Sequence, residues 1–169
     1  MILYGTTHRV GDGITTEAII APEYQAEADP AWLAAHCLAS VDPMIAELVR
    51  EGDVLLAGND FGAGPGAEIA VLALQAAGFA AIICASADTG FVALAEAYGL
   101  PVLICPDAIA AIMPGSVVRM DLDGGRITDR SNSETYTMPP CAPALVQAVR
   151  RAQLLLRMRR VVDEEGFDG

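Results

Sequence analysis

Apolar residues follow two patterns along the chain. Short uninterrupted runs, Val54-Leu55-Leu56-Ala57, Ala80 to Ala85 and Val102-Leu103-Ile104, alternate with stretches whose apolar positions recur at helical spacing. Runs of this kind suit strands covered on both faces. Between the first two lie a glycine-rich segment and an alanine-rich helical stretch from about Gly66 to Ala77, closed by Gly78. Between the second and third, Asp88 is placed to cap a helix reaching Tyr98. Two consecutive strand–helix–strand units predict an α/β fold, with a parallel sheet core flanked by helices.

Upstream of these units, Gly5 to Pro22 is turn-rich, with a tight turn at Asp12-Gly13, and reads as an extended, loop-like lead-in. Asp29 and Pro30 open a short helix carrying Trp32, Leu33, Cys37 and Leu38. Another starts near Asp42-Pro43, carries Met44, Ile45, Leu48 and Val49, and stops before Gly52. Downstream, Val117 to Leu122 alternates, Asp123-Gly124-Gly125 turns and Ile127-Thr128 returns, which predicts a β-hairpin region between Pro114 and Met138. An amphipathic helix from about Pro143 to Val162, apolar at Leu145, Val149, Leu155 and Met158, closes the chain before a loose tail from Asp163 to Gly169. With 169 residues and neither a repeat nor a low-complexity linker, one domain spanning 1–169 is expected.

Composition narrows the function classes. Apolar residues make up 53% of the chain and mean hydropathy is +0.41, yet the longest apolar runs are too short to cross a bilayer. The first residues lack the basic region, apolar stretch and cleavage site of an export signal, so a cytoplasmic location is expected. A net charge of -12 and a pI near 4.3 argue against nucleic acid and anionic membranes as partners. All ten cationic residues are arginine, and Arg150, Arg151, Arg157, Arg159 and Arg160 lie in the last twenty positions. They read as the solvated, dipole-complementing end of the last helix, with a docking surface for an acidic partner as the sharper alternative. Cys37, Cys84, Cys105 and Cys141 are widely spaced in apolar surroundings. They read as buried free thiols, which leaves no metal or iron–sulfur site expected on this chain.

The most informative segment is Gly58-Asn59-Asp60-Phe61-Gly62-Ala63-Gly64-Pro65-Gly66-Ala67-Glu68. Its glycines join a buried strand to a helix whose first N–H groups have no partner, an arrangement that attracts a carboxylate or phosphate. The same glycines also serve close packing of strand against helix. A dinucleotide reading competes, with Gly62, Gly64 and Gly66 after one strand and Asp88 after the next, but the third glycine falls one residue early for G-x-G-x-x-G. The absence of lysine excludes a Walker-type loop.

Two separated motifs carry a family resemblance. Gly11-Asp12-Gly13-Ile14-Thr15-Thr16-Glu17-Ala18-Ile19-Ile20-Ala21-Pro22 resembles the G-D-x-I-x-T-D-x-I-x-P motif of the small subunits of 3-isopropylmalate dehydratase and homoaconitase, in the aconitase superfamily, with Glu17 in place of aspartate. About forty residues later, Ala57-Gly58-Asn59-Asp60-Phe61-Gly62-Ala63-Gly64 resembles the family's A-G-x-N-F-G-x-G stretch, and the likeness extends over nearly the whole chain. The resemblance implies a swivelling β/β/α domain that docks on a large subunit bearing a [4Fe–4S] cluster and takes part in dehydrating and rehydrating a small hydroxy di- or tricarboxylate.

It also implies a Ser-Ser-Arg-Glu-His run after the glycines, where a serine serves as the base and the arginine helps to hold substrate. Those positions here are Pro65, Gly66, Ala67, Glu68 and Ile69. Glu17 and Glu68 therefore become the candidate acid–base residues, and Thr16, Tyr24, Asn59, Asp60, Gly62, Gly64 and Gly66 the candidate substrate contacts. The segment from Tyr24 to Glu27 lies where family members vary in substrate recognition, and it names no substrate. Arg9 could reach the site, Ser86 and Thr89 could face it, and His8 and His36 stand apart from other ligand-type residues. Three functions stay open: a diverged hydro-lyase small subunit, a non-catalytic carboxylate-binding or regulatory paralogue, and a nucleotide-binding α/β domain.

Overall fold

The computed structural model describes residues 1–26 and 29–165. A seven-stranded sheet runs β4 (Val102–Ile104), β3 (Ala81–Cys84), β2 (Val54–Ala57), β1 (Ile2–Arg9), β5 (Val117–Asp121), β6 (Arg126–Asp129), β7 (Thr135–Thr137) in spatial order. β1 to β4 are parallel and β5 to β7 continue the sheet antiparallel. Steps from β1 to β4 all proceed in one direction, so right-handed crossovers put the connecting helices on one face. These are α1 (Thr16–Ile19), α2 (Pro30–His36), α3 (Pro43–Leu48), α4 (Ala67–Ala77) and α5 (Thr89–Ala97). α6 (Pro106–Ala111) and the start of α7 (Pro143–Glu165) serve the other face.

The uninterrupted apolar runs divide between two cores, as a two-residue period requires. Leu55, Ala57, Ile82 and Cys84 point toward α2, α4 and α5. Val54, Leu56, Ala81 and Ile83 join Leu3, Val118, Met120, Ile127, Leu145 and Val149. Each fully buried Leu, Ile or Phe contributes roughly 1.5–3 kcal/mol relative to exposure.

The lead-in expected over Gly5 to Pro22 is instead a central strand followed by a helical turn. β1 pairs through Thr7–Arg9 with β2 and through Ile2–Thr6 with β5, joining the parallel and antiparallel halves. Its inward positions are Leu3, Gly5 and Thr7, so a glycine and a threonine hide the apolar alternation. Gly5 has to be small: a Cβ there would lie 2.4 Å from the Gly52 carbonyl and 2.7 Å from Val54. Thr7 is satisfied in the interior by donating to the Ser116 carbonyl at 2.9 Å. The expected hairpin is extended by β7 into a three-stranded meander. Asp163 to Glu165, expected as tail, continue α7, while residues 166–169 lie outside the described residues. α6, a six-residue helix with proline at its first position, was not expected from the pattern.

Candidate functional site

β1, β2 and β3 end along one edge of the sheet, and the loops that follow them, around residues 10–15, 58–66 and 85–88, meet there. In open parallel sheets this edge is where ligands bind. The first two loops are stitched by backbone bonds from Gly13 N to the Asn59 carbonyl (2.8 Å), Gly62 N to Ile14 (2.7 Å) and Thr16 N to Ala63 (2.9 Å). Asp12 clamps the same seam, its carboxylate accepting from Asn59 N at 2.7 Å. A Cβ on Gly58 would sit 1.9 Å from that carboxylate. Buried Thr16 donates its hydroxyl to the Pro65 carbonyl, which leaves no room for a side chain on Gly64, whose Cβ would lie 2.8 Å from the Thr16 oxygen.

The third loop is joined through Phe61 and Asp60. Phe61 is fully buried, packs edge-on against Phe91 at 5.4 Å, and exchanges backbone bonds with Ser86 and Asp88. That anchor fixes Asp60 in the left-handed region, φ 59°, which Asp and Asn tolerate best among side-chain-bearing residues. Ser86 Oγ accepts from Asp60 N at 2.9 Å and donates to Asn59 Oδ1 at 3.5 Å. Ser86 therefore supports the glycine loop. Thr89 is the first residue of α5, and Asp88 caps that helix by accepting from Phe91 N at 3.0 Å, so the acid needed by a dinucleotide reading is engaged by its own helix.

At the end of the glycine loop, Gly66 (φ 78°) starts α4 without a side-chain cap. The first amides of α4 thus meet neither an intrahelical nor a side-chain capping acceptor. Gln25 borders the same point, because a Cβ on Gly66 would lie 3.4 Å from its amide oxygen. Tyr24 stacks flat on His36, with ring centroids 3.9 Å apart, and its carbonyl accepts from Trp32 Nε1 at 3.1 Å. Glu27, at the end of that segment, lies outside the described residues.

The structure thus draws Thr16, Asn59, Asp60, Gly62, Gly64 and Gly66 into one stitched platform, with Tyr24 and Gln25 beside it. Glu17 is exposed in the first turn of α1, next to Thr16. Glu68 turns toward α5, where its carboxylate accepts from the Tyr98 hydroxyl at 2.7 Å. That hydrogen bond, helped by desolvation and the carboxylate's charge, pushes the Tyr98 phenol above its ordinary range. Arg9 does not reach the platform; its guanidinium donates to the carbonyls of Ile109 and Ile112. His8 is not isolated: it meets Asp53 at 2.7 Å, tying β1 to the start of β2.

Around the platform the exposed ionisable groups are Asp12, Glu17, Asp60, Glu68 and Asp88. Among the described residues, no arginine or histidine enters a hydrogen bond or ion pair in these three loops. The clamp at Asp12 and the place of Gln25 were not singled out by sequence; Asp12-Gly13 signalled only a turn. The donor set does not fit an iron–sulfur cluster. Cys37 and Cys84 lie in one core and Cys105 in the other, burial pushes the Cys37 and Cys84 thiols up to about 12, and no group of three or more His, Cys, Asp or Glu converges among the described residues. Nor is any helix of the described residues long and apolar enough to cross a membrane.

Comparison with known proteins supplies the family. No family model matches the chain. The 3-isopropylmalate dehydratase small subunit of Moorella thermoacetica is 36% identical over 162 residues, covering 96% of this chain and 98% of that one. The 2,3-dimethylmalate dehydratase small subunit of Eubacterium barkeri is 36% identical over 132 residues, covering 78% and 81%. Among solved structures, 3-isopropylmalate dehydratase from Methanocaldococcus jannaschii superposes with a TM-score of 0.79 at 32% identity, covering 94% of this chain and 99% of that one. The chain belongs to the family of 3-isopropylmalate dehydratase small subunits.

Proposed function

We propose that this chain is the substrate-side subunit of a hydro-lyase acting on a small hydroxy di- or tricarboxylate, a single functional unit that turns over substrate only when docked on a large subunit carrying a [4Fe–4S] cluster. The observation that carries this reading is a carboxylate-friendly platform whose own charges are all negative. A carboxylate at the uncapped start of α4 gains about 0.3–1 kcal/mol when exposed and up to about 2 kcal/mol when partly buried. Even millimolar binding needs about 4 kcal/mol. The amides of this chain therefore orient one carboxylate, and cationic groups from the partner have to supply most of the binding.

Proton abstraction beside a carboxylate needs a base within hydrogen-bond reach of the carbon acid. Pro65, Gly66 and Ala67 offer no such group. Of the two carboxylates proposed as replacements, Glu68 is engaged by Tyr98, whereas Glu17 is exposed next to the platform. Glu17 is accordingly the favoured base or acid of this chain. Thr16 and Gly62, whose amide is bonded to the Ile14 carbonyl, position the loops, while Asn59, Asp60 and the amides at Gly64 and Gly66 face the substrate, with Tyr24 bordering its distal group.

The test is anaerobic reconstitution with the large subunit and an assay of hydroxyacid dehydration by absorbance of the unsaturated product. Glu17→Gln is expected to lower kcat by about 100-fold or more, and Glu68→Gln by less than about threefold. Equal losses would reassign the base. A reconstituted complex that binds carboxylates without turnover on any hydroxyacid would replace the catalytic reading with a carboxylate-binding role, the role that Pro65-Gly66-Ala67 taken alone would favour.

A further inference from the structure

The site at the strand ends leaves the second half of α7 unexplained. Only Leu145, Val146, Ala148 and Val149 of this helix are buried. From Leu154 to Glu165 every residue is exposed, a stretch of about 18 Å of helix. An isolated segment of that length is marginal in water. One side of it leans on the body: Gln153, Leu155, Leu156 and Arg159 line a cleft of about 750 Å³ together with Leu72, Phe79 and Tyr98, and Arg160 contacts Glu51. The opposite side carries Leu154, Met158 and Val161 at i, i+4, i+7 spacing, each more than half exposed.

The charges along the helix say what fits this stripe. Arg150 and Arg151 stand at one end of the segment, Asp163, Glu164 and Glu165 at the other, and no basic residue occupies the last turn. Three acids at a helix C-terminus oppose the macrodipole unless a cation neutralises them. In an antiparallel pair of such helices centred between Arg157 and Met158, Arg150 and Arg151 of one copy stand level with Glu165 and Glu164 of the other. Leu154 then stands level with the other copy's Val161, and Met158 fills the centre. The stripe is complementary to itself in this orientation alone; a parallel pair would set arginine against arginine and acid against acid.

We infer that the outward face of α7, from Arg150 to Glu165, is a self-association surface on which a second copy of this chain docks through an antiparallel α7 pair with two-fold symmetry. The apolar stripe supplies the contact and the end charges set the direction. This surface is separate from the strand-end platform, and the inference does not depend on the proposed activity.

Sedimentation equilibrium of the full chain tests it, with circular dichroism and Tm checking that exposed-site variants stay folded. The wild-type chain is expected to dimerise at micromolar concentration, and Met158→Glu to be monomeric at the same concentration. Arg150→Glu with Arg151→Glu should weaken the dimer by about tenfold, and adding Glu164→Arg with Glu165→Arg should restore it. A wild-type chain monomeric at about 100 µM, a dimer untouched by folded Met158→Glu, or a charge reversal without rescue would each overturn the inference. So would a Met158→Glu chain that keeps its self-association and loses the large subunit instead.

Discussion

Gly62 and Gly66 differ in what a methyl group would meet. Both have positive φ, but a Cβ on Gly62 would press into the Phe91 ring at 2.5 Å, whereas the nearest atom to one on Gly66 is 3.4 Å away. Gly62→Ala should therefore cost about 2–4 kcal/mol, from backbone strain plus overpacking, and Gly66→Ala about 1–2 kcal/mol from strain alone. Urea unfolding of the two variants measures the difference directly. The cysteines give a second residue-scale prediction. Burial holds Cys37 and Cys84 near 12 and raises the half-buried Cys141 above its usual range. Native protein at about pH 8 should resist alkylation, with Cys141 reacting first and all four thiols reacting only after denaturation; rapid native modification of Cys37 or Cys84 would contradict the packing. At this scale the sequence pattern located the glycine loop, but the duties of Asp12 and Glu68 depend on partners 47 and 30 residues away along the chain, and no local pattern announces those.

At the scale of elements, α4 and α5 are joined by Tyr98, which donates to Glu68 while its carbonyl accepts from Gln75 at 2.8 Å. The hydrogen bond to Glu68, with desolvation and the carboxylate's charge, holds the Tyr98 phenol above its ordinary range in the folded chain. The raised value favours the protonated form in the folded chain, so this contribution is complete below about pH 10 and is lost as pH rises through the folded pKa. Thermal melts between about pH 9 and 11 should show a steeper loss of Tm for the wild-type chain than for Tyr98→Phe. Parallel curves would remove the link. β2, β3 and β4 could be read from the sequence because strands covered on both faces leave uninterrupted apolar runs. β1 could not, because its inward positions include Gly5, required by the close approach of Gly52, and Thr7, whose hydroxyl is satisfied by Ser116. α6 escaped because six residues give too short a period to detect.

For the whole molecule, the proposed reliance on a partner follows from where charge lies. The chain has ten arginines against 22 acids, half of the arginines are on α7, and Arg9 is spent on the carbonyls of Ile109 and Ile112. The strand-end platform is thus left with amides and carboxylates, and under the proposed function it orients one carboxylate of the substrate while the partner supplies the cations. The sequence motifs reached the family and the place of the platform; they could not show that Glu68 is engaged by Tyr98 or that, among the described residues, no arginine or histidine bonds to the loops, because both depend on how side chains fold over one another. The most direct measurement is dehydration of 3-isopropylmalate and related hydroxyacids by the purified chain, by the cluster-loaded large subunit and by the two together. Neither component alone is expected to turn over substrate, while the two should co-elute and react, with Glu17→Gln lowering that activity by about 100-fold or more; turnover by the isolated chain, or a mixture that neither co-elutes nor reacts, would overturn the proposed function.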